Sequence, residues 1–436
     1  MTRLVQATRL FTFLSIIAIL ISIAASETFL ALAFLSWLPV GIKEGWERKR
    51  LPIEWPPFFG AVQLFVAATV VSVWWSSNPH QGMSAVRKLP LFFLCFLVMR
   101  FFDQVWVKRT YYSLFGLGSL AGLYAIAQFL EKWWHFQRTR EVADDPTLVF
   151  RIHGFMGHWM TFSGEQVLIL AVLLGYLVFF PALKIWRLGI ATALVSASVV
   201  LSFTRSAWLA AVTVFGWAVV RAQKRVLLIF PGALLLLVVI FPQAFHERLD
   251  SFVDTGFSSN VGRIEMARAG WKMFRAHPWF GVGPQRVKGE FEAILTARGM
   301  PHPPFYTGHL HNNFIQLGAE RGVFALAAFI WLIGDLIVRF RRRSHNETLP
   351  VEARAASMAG LLSTVALVIA GLFEFNFGDS EVLILFLFLI SAPYAIRPPT
   401  PDPAPVSHPM EEQGGWKPQP GGVSIQASPV NLSSEV

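Results

Sequence analysis

Apolar runs long enough to cross a bilayer, separated by short basic segments, fill most of the chain. Leu10 to Ala25 is apolar, Ser26-Glu27-Thr28 interrupts it, and Phe29 to Ile42 resumes. This predicts two membrane helices joined by a tight turn. A cleaved signal peptide reads differently, because a polar mature chain should follow its cleavage site. Further spans are predicted near Pro57 to Trp75, Leu89 to Phe102, Tyr111 to Leu130, Glu165 to Phe180, Leu188 to Phe203, Ala207 to Val220, Val226 to Phe241, Phe314 to Val338, Ala355 to Phe373 and Glu381 to Ala395. The expected fold is an all-α integral membrane protein of about twelve helices.

Basic clusters orient the spans, since Lys and Arg in short loops mark the cytoplasmic side. With twelve spans, Lys43/Arg48/Lys49/Arg50, Arg100/Lys108/Arg109, Lys184/Arg187, Arg221/Lys224/Arg225 and Arg339/Arg341/Arg342/Arg343 all fall on one face. Both termini are then cytoplasmic, and the opposite face carries the long connections at 131–164 and 242–313. The larger of these should contain elements of its own. Gly262 to His277 places Ile264, Ala267, Trp271 and Phe274 at helical spacing, and Pro284 to Arg298 repeats the pattern with Val287, Phe291, Ile294 and Leu295. These predict amphipathic helices whose apolar faces lie on the bundle. Residues 1–396 thus form one polytopic domain. From Arg397 to 436 the chain is rich in Pro, Gly and Ser, which predicts a disordered cytoplasmic tail.

Composition agrees with this picture and narrows the function. With 54% hydrophobic and 15% charged residues, the chain is excluded from the ordinary soluble enzymes. The net charge of +10 is explained by topology rather than by nucleic acid, because no stripe of Lys and Arg with interleaved aromatics lies outside the apolar runs. A single cysteine, Cys95, excludes an intrachain disulfide, a Cys-ligated zinc site and a thioredoxin-type motif.

Polar residues at the outer ends of spans are the functional candidates, because charge there needs a partner, water or a ligand. Arg205 sits in the turn Leu201-Ser202-Phe203-Thr204-Arg205-Ser206 between two apolar helices. His309-Leu310-His311-Asn312-Asn313-Phe314 joins the large loop to the next span and is followed by Glu320-Arg321-Gly322. A histidine at neutral pH can take a proton from a hydroxyl, the task of a general base in group transfer. His302, His309 and His311 also offer three imidazoles to a metal, but His-Glu-x-x-His is absent and the metal reading is the weaker one. Arg263 opens the first loop helix, and Arg151, His153 and His158 surround Gly154 and Gly157 in the other outer loop. Arginine forks match phosphate oxygens, so several facing one pocket indicate an anionic headgroup such as a diphosphate. Glu374, Asn376, Asp379 and Glu381 add polar groups on the same side, able to position a sugar, orient His311 or pair with the arginines.

Gly262-Arg263-x7-Trp271-x6-Pro278-x2-Gly281-x-Gly283, followed by His311-Asn312-x-Phe314-x5-Glu320-x-Gly322, resembles the signature of the O-antigen ligase family of bacterial envelope glycosyltransferases. That family also includes O-antigen polymerases and protein O-oligosaccharyltransferases. The segments around Arg205 and around Arg151/Gly154/Gly157 resemble its other recurring stretches, although His158-Trp159 stands where many members carry Pro-Asn. The resemblance implies a GT-C-like fold in the bacterial inner membrane. It also implies inverting, metal-independent and cofactor-free transfer of a glycan from undecaprenyl diphosphate to lipid A-core at the periplasmic face. Carried onto this chain, it makes His311 the base and puts Arg205 and Arg263 on the donor diphosphate. Arg151, His158, His309, Asn312, Glu320, Glu374 and Asp379 are the expected substrate-binding residues. An O-antigen polymerase using the same donor is the alternative. From other classes, a lipid-linked sugar transporter would place its ionisable groups near the midplane, and a scaffold would leave the outer arginines and histidines without a purpose.

Overall fold

The computed structural model describes residues 1–49, 53–139, 149–180, 185–222, 229–242, 245, 258–299 and 308–397. Among these residues the chain is helical, with no strand. Its helices are α1 (Thr2–Ala18), α2 (Ile23–Arg48), α3 (Phe59–Trp75), α4 (Pro79–Arg87), α5 (Phe93–Phe101), α6 (Gln104–Thr139), α7 (Trp159–Phe179) and α8 (Ile185–Leu201). They continue with α9 (Arg205–Ala222), α10 (Ile229–Ile240), α11 (Ser258–Ala276), α12 (Val287–Ala297), α13 (Asn313–His345), α14 (Val351–Gly371) and α15 (Ser380–Ala395). The disordered tail expected from 397 onward falls, after Arg397, outside the described residues.

Six segments among the described residues are long and apolar enough to cross a membrane: α2, Pro79–Phe101, α6, α7, α13 and α14. Four shorter apolar helices accompany them, Phe59–Trp75, Trp186–Leu201, Arg205–Val220 and Ser380–Ala395. The chain is a multi-pass membrane protein. The six long segments and the four shorter helices make ten, and the expected twelve needs α1 and α10 to cross as well.

Burial follows sequence. Helices α7, α14 and α15 are apolar on nearly every face and form the centre of the bundle, as all-round hydrophobicity requires. Helix α14 packs against α7, α9, α13 and α15, so its C-terminal end at Gly371 delivers the following loop into the middle of one face.

Two sequence expectations are corrected. The first turn falls at 19–22, not at Ser26-Glu27-Thr28. Ser22 caps α2 by accepting from the Ala25 N–H, and Ser26 lies inside α2 with its hydroxyl donating to the Ser15 carbonyl, 2.8 Å. Ser26 is therefore a helix-helix contact, and the exposed Glu27 and Thr28 continue α2 without a break. In α11 the apolar stripe also differs from the expected one. Met266, Ala269 and Met273 are buried, whereas Ile264 and Trp271 stand 44% and 59% exposed. Two stripes of helical period coexist in this segment, and packing against α13 selects the first. Helix α12 buries Val287, Phe291 and Leu295 as the pattern predicts. Together α11, α12, Leu310 and Ala319 make a second small core beside the main one.

Candidate active site

The second core sets the position of the His-Leu-His segment. Leu310 is its buried anchor, and the Leu310 N–H donates to Gln316 Oε1, 2.8 Å. The flanking histidines are thereby turned the other way. His311 takes a left-handed backbone, φ 47°, a strained state for a residue with a Cβ and one that concentrates at functional sites. Two asparagines on its C-terminal side hold the strained conformation in place. Asn312 caps α13 through Oδ1, accepting from Phe314 N–H and Ile315 N–H, while its Nδ2 donates to the Leu372 carbonyl. Asn313 donates to Asn376 Oδ1, 2.7 Å, and accepts from the Phe377 N–H. A side chain at Gly371 would collide with the Asn313 amide, its Cβ falling 2.1 Å from Nδ2. This polar clasp joins the start of α13 to the loop after α14 and brings Glu374, 63 residues away in sequence, against His311.

His311 Nδ1 lies 2.9 Å from Glu374 Oε2, with both side chains buried. A carboxylate can only accept, so Nδ1–H donates, and in a neutral imidazole Nε2 is then the acceptor nitrogen. His309 stands beside them, its ring 4.3 Å from that of His311 and its Nε2 3.5 Å from Glu374 Oε1. Burial alone would raise the Glu374 carboxyl. The adjacent His311, its hydrogen bond, His309 and the Arg263 charge outweigh burial and hold it down at about 2. Burial is also the largest influence on His309, lowering it to about 4 against the pull of Glu374. At neutral pH, then, Glu374 is charged and His309 is neutral.

Arg263 couples to this dyad, while Arg205 is tied to α11 and Arg151 adjoins His158. Arg205, the first residue of α9, is 8% exposed and donates through Nη2 to Asn260 Oδ1, 2.7 Å. Asn260 lies on α11 one turn before Arg263, so α11 presents both to the same region. Burial lowers Arg263, and the Glu374 charge opposes that shift. Arg205 is set by a tight turn in which Thr204 N–H donates to Ser202 Oγ, and Trp208 Nε1–H donates back to the Val199 and Val200 carbonyls. From the other outer loop, the buried Arg151 lies over the Trp159 ring at 4.9 Å, and its carbonyl accepts from Lys132 Nζ, 2.6 Å. His158 caps α7 by accepting from the Met160 N–H, stacks on Trp159, and feels the charges of Glu374, Arg151 and His311. Burial lowers it most. Asp379 accepts from the Thr161 hydroxyl, 3.3 Å, and is raised to about 7 by burial and by Glu374 and Glu381.

The structure therefore brings Arg263, His158, His309, His311, Glu374 and Asp379 into one electrostatically coupled group, with Arg151 beside His158 and Arg205 tied to α11. Two expected residues are spent otherwise. The Asn312 amide is used at both ends in capping. Glu320 Oε1 accepts from the Gln285 N–H, 2.7 Å, away from the histidines. It belongs to a lock between the 278–285 loop and α13. Val282 N–H donates to the Ala319 carbonyl, Gly283 N–H to that of Glu320, and Val323 N–H to that of Pro278. Helix α13 breaks here at Gly322, φ 77°, where a Cβ would fall 2.2 Å from the Trp279 carbonyl oxygen. A Cβ at Gly281 would fall 2.4 Å from the Glu320 carbonyl carbon. The spaced glycines are what allow two backbones to touch. Sequence reasoning missed Asn260, Lys132 and Thr161. Only Asn260 carried a signal, as a polar residue one turn before Arg263.

Nitrogen and oxygen atoms of His309, His311 and Glu374 lie within 4.8 Å of one another, a spacing open to a metal ion. Ligands about 2.1 Å from a tetrahedral ion stand roughly 3.4 Å apart. The 2.9 Å between His311 and Glu374 is the length of an N–H···O bond instead.

Residues 190–330 match the family model of the O-antigen ligase. This segment, about a third of the chain, is similar to the O-antigen ligase family. It contains Arg205, Arg263, His309, His311, Asn312 and Glu320, whereas Arg151, His158, Glu374 and Asp379 lie outside it. No curated protein matches the chain. The likeness is to membrane glycosyltransferases of the O-antigen ligase and polymerase type, a family that acts on lipid-linked glycans.

Proposed function

We propose that the chain is an O-antigen ligase-type glycosyltransferase of the bacterial inner membrane, moving a glycan from undecaprenyl diphosphate to lipid A-core at the periplasmic face. The observation that carries the chemistry is the His311–Glu374 hydrogen bond, 2.9 Å between buried groups, which leaves Nε2 as the proton acceptor. In this reading Nε2 takes the proton of the acceptor hydroxyl as its oxygen bonds to the anomeric carbon. The anomeric C–O bond breaks on the opposite face, its electron pair leaves with the diphosphate, and the configuration inverts. Glu374 stabilises the imidazolium that forms. Arg205 and Arg263 meet the charge that grows on the diphosphate, so they stabilise the transition state more than the ground state. In this reading the chain crosses twelve times with both termini cytoplasmic, which puts every one of these groups on the periplasmic side.

The test is transfer by purified protein from undecaprenyl-diphosphate glycan to lipid A-core, with and without EDTA. Expected are a lipid A-core product that survives chelation and its loss in folded His311→Ala. A lengthened lipid-linked glycan in its place would assign polymerase chemistry to the same residues. Neither product from a protein that binds donor normally would overturn the reading in favour of transport, and loss with EDTA would make the histidine cluster a metal site.

A further inference from the structure

At the opposite end of the bundle from the site, helices α6 and α8 enclose a groove of about 540 Å³ that the transfer reaction does not use. Its residues on α6 are Lys108, Tyr112, Phe115, Gly116 and Ser119, spaced to lie along one helix face. The groove is charged at its mouth and apolar along its length. Lys108 and Arg187 both line the mouth, and among the described residues neither has a carboxylate partner. Two like charges facing one cavity without a counter-ion call for an anion. The floor is apolar, with Leu188, Ile190 and Ala191 from α8, and it is open at Gly116, where a Cβ would meet nothing within 4 Å.

Dimensions identify the class of ligand. From Lys108 to Ser119 the helix advances about 16 Å at 1.5 Å per residue, close to the half-thickness of a ~30 Å hydrocarbon core. The exposed Trp186 stands beside the mouth, with the Arg187 guanidinium 5.0 Å from its ring, and Arg109 lies 5.2 Å from the Trp106 ring. Trp and Arg at this level mark the headgroup boundary. A second groove, about 660 Å³, runs down the other side of α6 from Trp106 and Arg109 and shares Lys108 and Tyr112 with the first. Charge at the top of the first channel, with a second groove flanking it from Gln104 to Ser113, complements a phosphodiester headgroup with two acyl chains.

We infer that α6 is the seat of one anionic diacyl phospholipid, its phosphate at Lys108 and Arg187 and its chains in the two grooves. The site is independent of the transfer chemistry. The full chain, delipidated in detergent, is titrated with phosphatidylglycerol and separately with phosphatidylcholine, and bound lipid is counted by native mass spectrometry. One phosphatidylglycerol should bind in preference to phosphatidylcholine. Each cation near an anionic lipid contributes about fivefold, so K108Q/R187Q should weaken phosphatidylglycerol binding by roughly 25-fold. Gly116→Leu, which fills the first channel without meeting a neighbour, should lower occupancy with both charges kept, and thermal melting confirms that each variant is folded. Equal binding of the two lipids, unchanged binding in the folded double variant, or displacement of the lipid by millimolar inorganic phosphate would each overturn the inference.

Discussion

Replacing Glu374 by Gln separates the proposed dyad from a merely structural contact. The substitution keeps shape and an oxygen that accepts from His311 Nδ1–H, but it removes the charge. A full imidazolium about 4 Å from a carboxylate gains about 4 kcal/mol at an effective dielectric of 20. With the proton half transferred, about 2 kcal/mol of this is present in the transition state, roughly a 30-fold effect on rate. The Gln amide can also donate to Nδ1 and fix the tautomer with the proton on Nε2, which blocks the base. The expected loss in kcat is therefore on the order of 10² to 10³, with donor KM changed less than about threefold, measured by initial rates of glycan transfer at pH 7. Folding is affected in a known direction. A carboxyl held at about 2, below its usual 4.5, contributes stability that is fully present above 4.5 and lost as pH falls through 2. That contribution amounts to no more than about 3 kcal/mol, so the variant should melt lower at neutral pH, and rates are compared well below its melting temperature. A folded Glu374→Gln within threefold of wild-type kcat, or one whose loss lies wholly in donor KM, would refute the relay.

Other consequences are equally direct. Arg263→Ala should lower kcat about 10²-fold, the usual cost of removing one transition-state donor, and Arg263→Lys should recover only part of it because a single ammonium lacks the guanidinium fork. Asp379, raised from 3.8 to about 7, contributes stability that is fully present below 3.8 and lost as pH rises through 7; the melting temperature of Asp379→Asn relative to wild type should rise from pH 5 to pH 8.5 and exceed wild type by a few degrees at the upper end. Gly322→Ala forces a Cβ to within 2.2 Å of the Trp279 carbonyl oxygen, so the lock must open, and a large fall in melting temperature and in yield of folded protein is expected. Asn312→Ala removes a helix cap and should cost about 1 kcal/mol of stability while leaving donor KM within about twofold, since its amide is engaged by Phe314, Ile315 and Leu372.

Legibility in the sequence tracks which forces are local. Apolar runs reported the helices because bilayer solvation acts on each segment by itself, and α12 showed its buried face because only one stripe of Val287, Phe291 and Leu295 exists there. Helix α11 did not, since Ile264/Trp271 and Met266/Met273 are both apolar at helical spacing and only α13 decides between them. Pairings across the chain were equally out of reach. His311 and Glu374 were each visible as polar residues at the outer end of a span, yet their union depends on Gly371 admitting the Asn313 amide and on Asn376 receiving it.

The recurring residues of the loop-to-α13 region fall into two groups that sequence alone could not separate. Gly281, Gly283, Glu320 and Gly322 bring backbone against backbone, and their polar contacts are with main chain, with Arg321 and with the Ser72 hydroxyl of α3. Arg263 and His311 show the reverse: their electrostatic partner is Glu374, on a different element altogether. The lock fixes the end of α11 against the broken α13, and α13 begins at the residue after the Asn312 cap. A lock that slips therefore moves Arg263 relative to His311 without touching either. Substitutions in the lock should accordingly reduce stability and transfer together, whereas those at His311, Glu374 and Arg263 should reduce transfer by far more than their effect on folding explains. The ratio of the two losses, measured across both groups, distinguishes the residues that build the site from those that act in it.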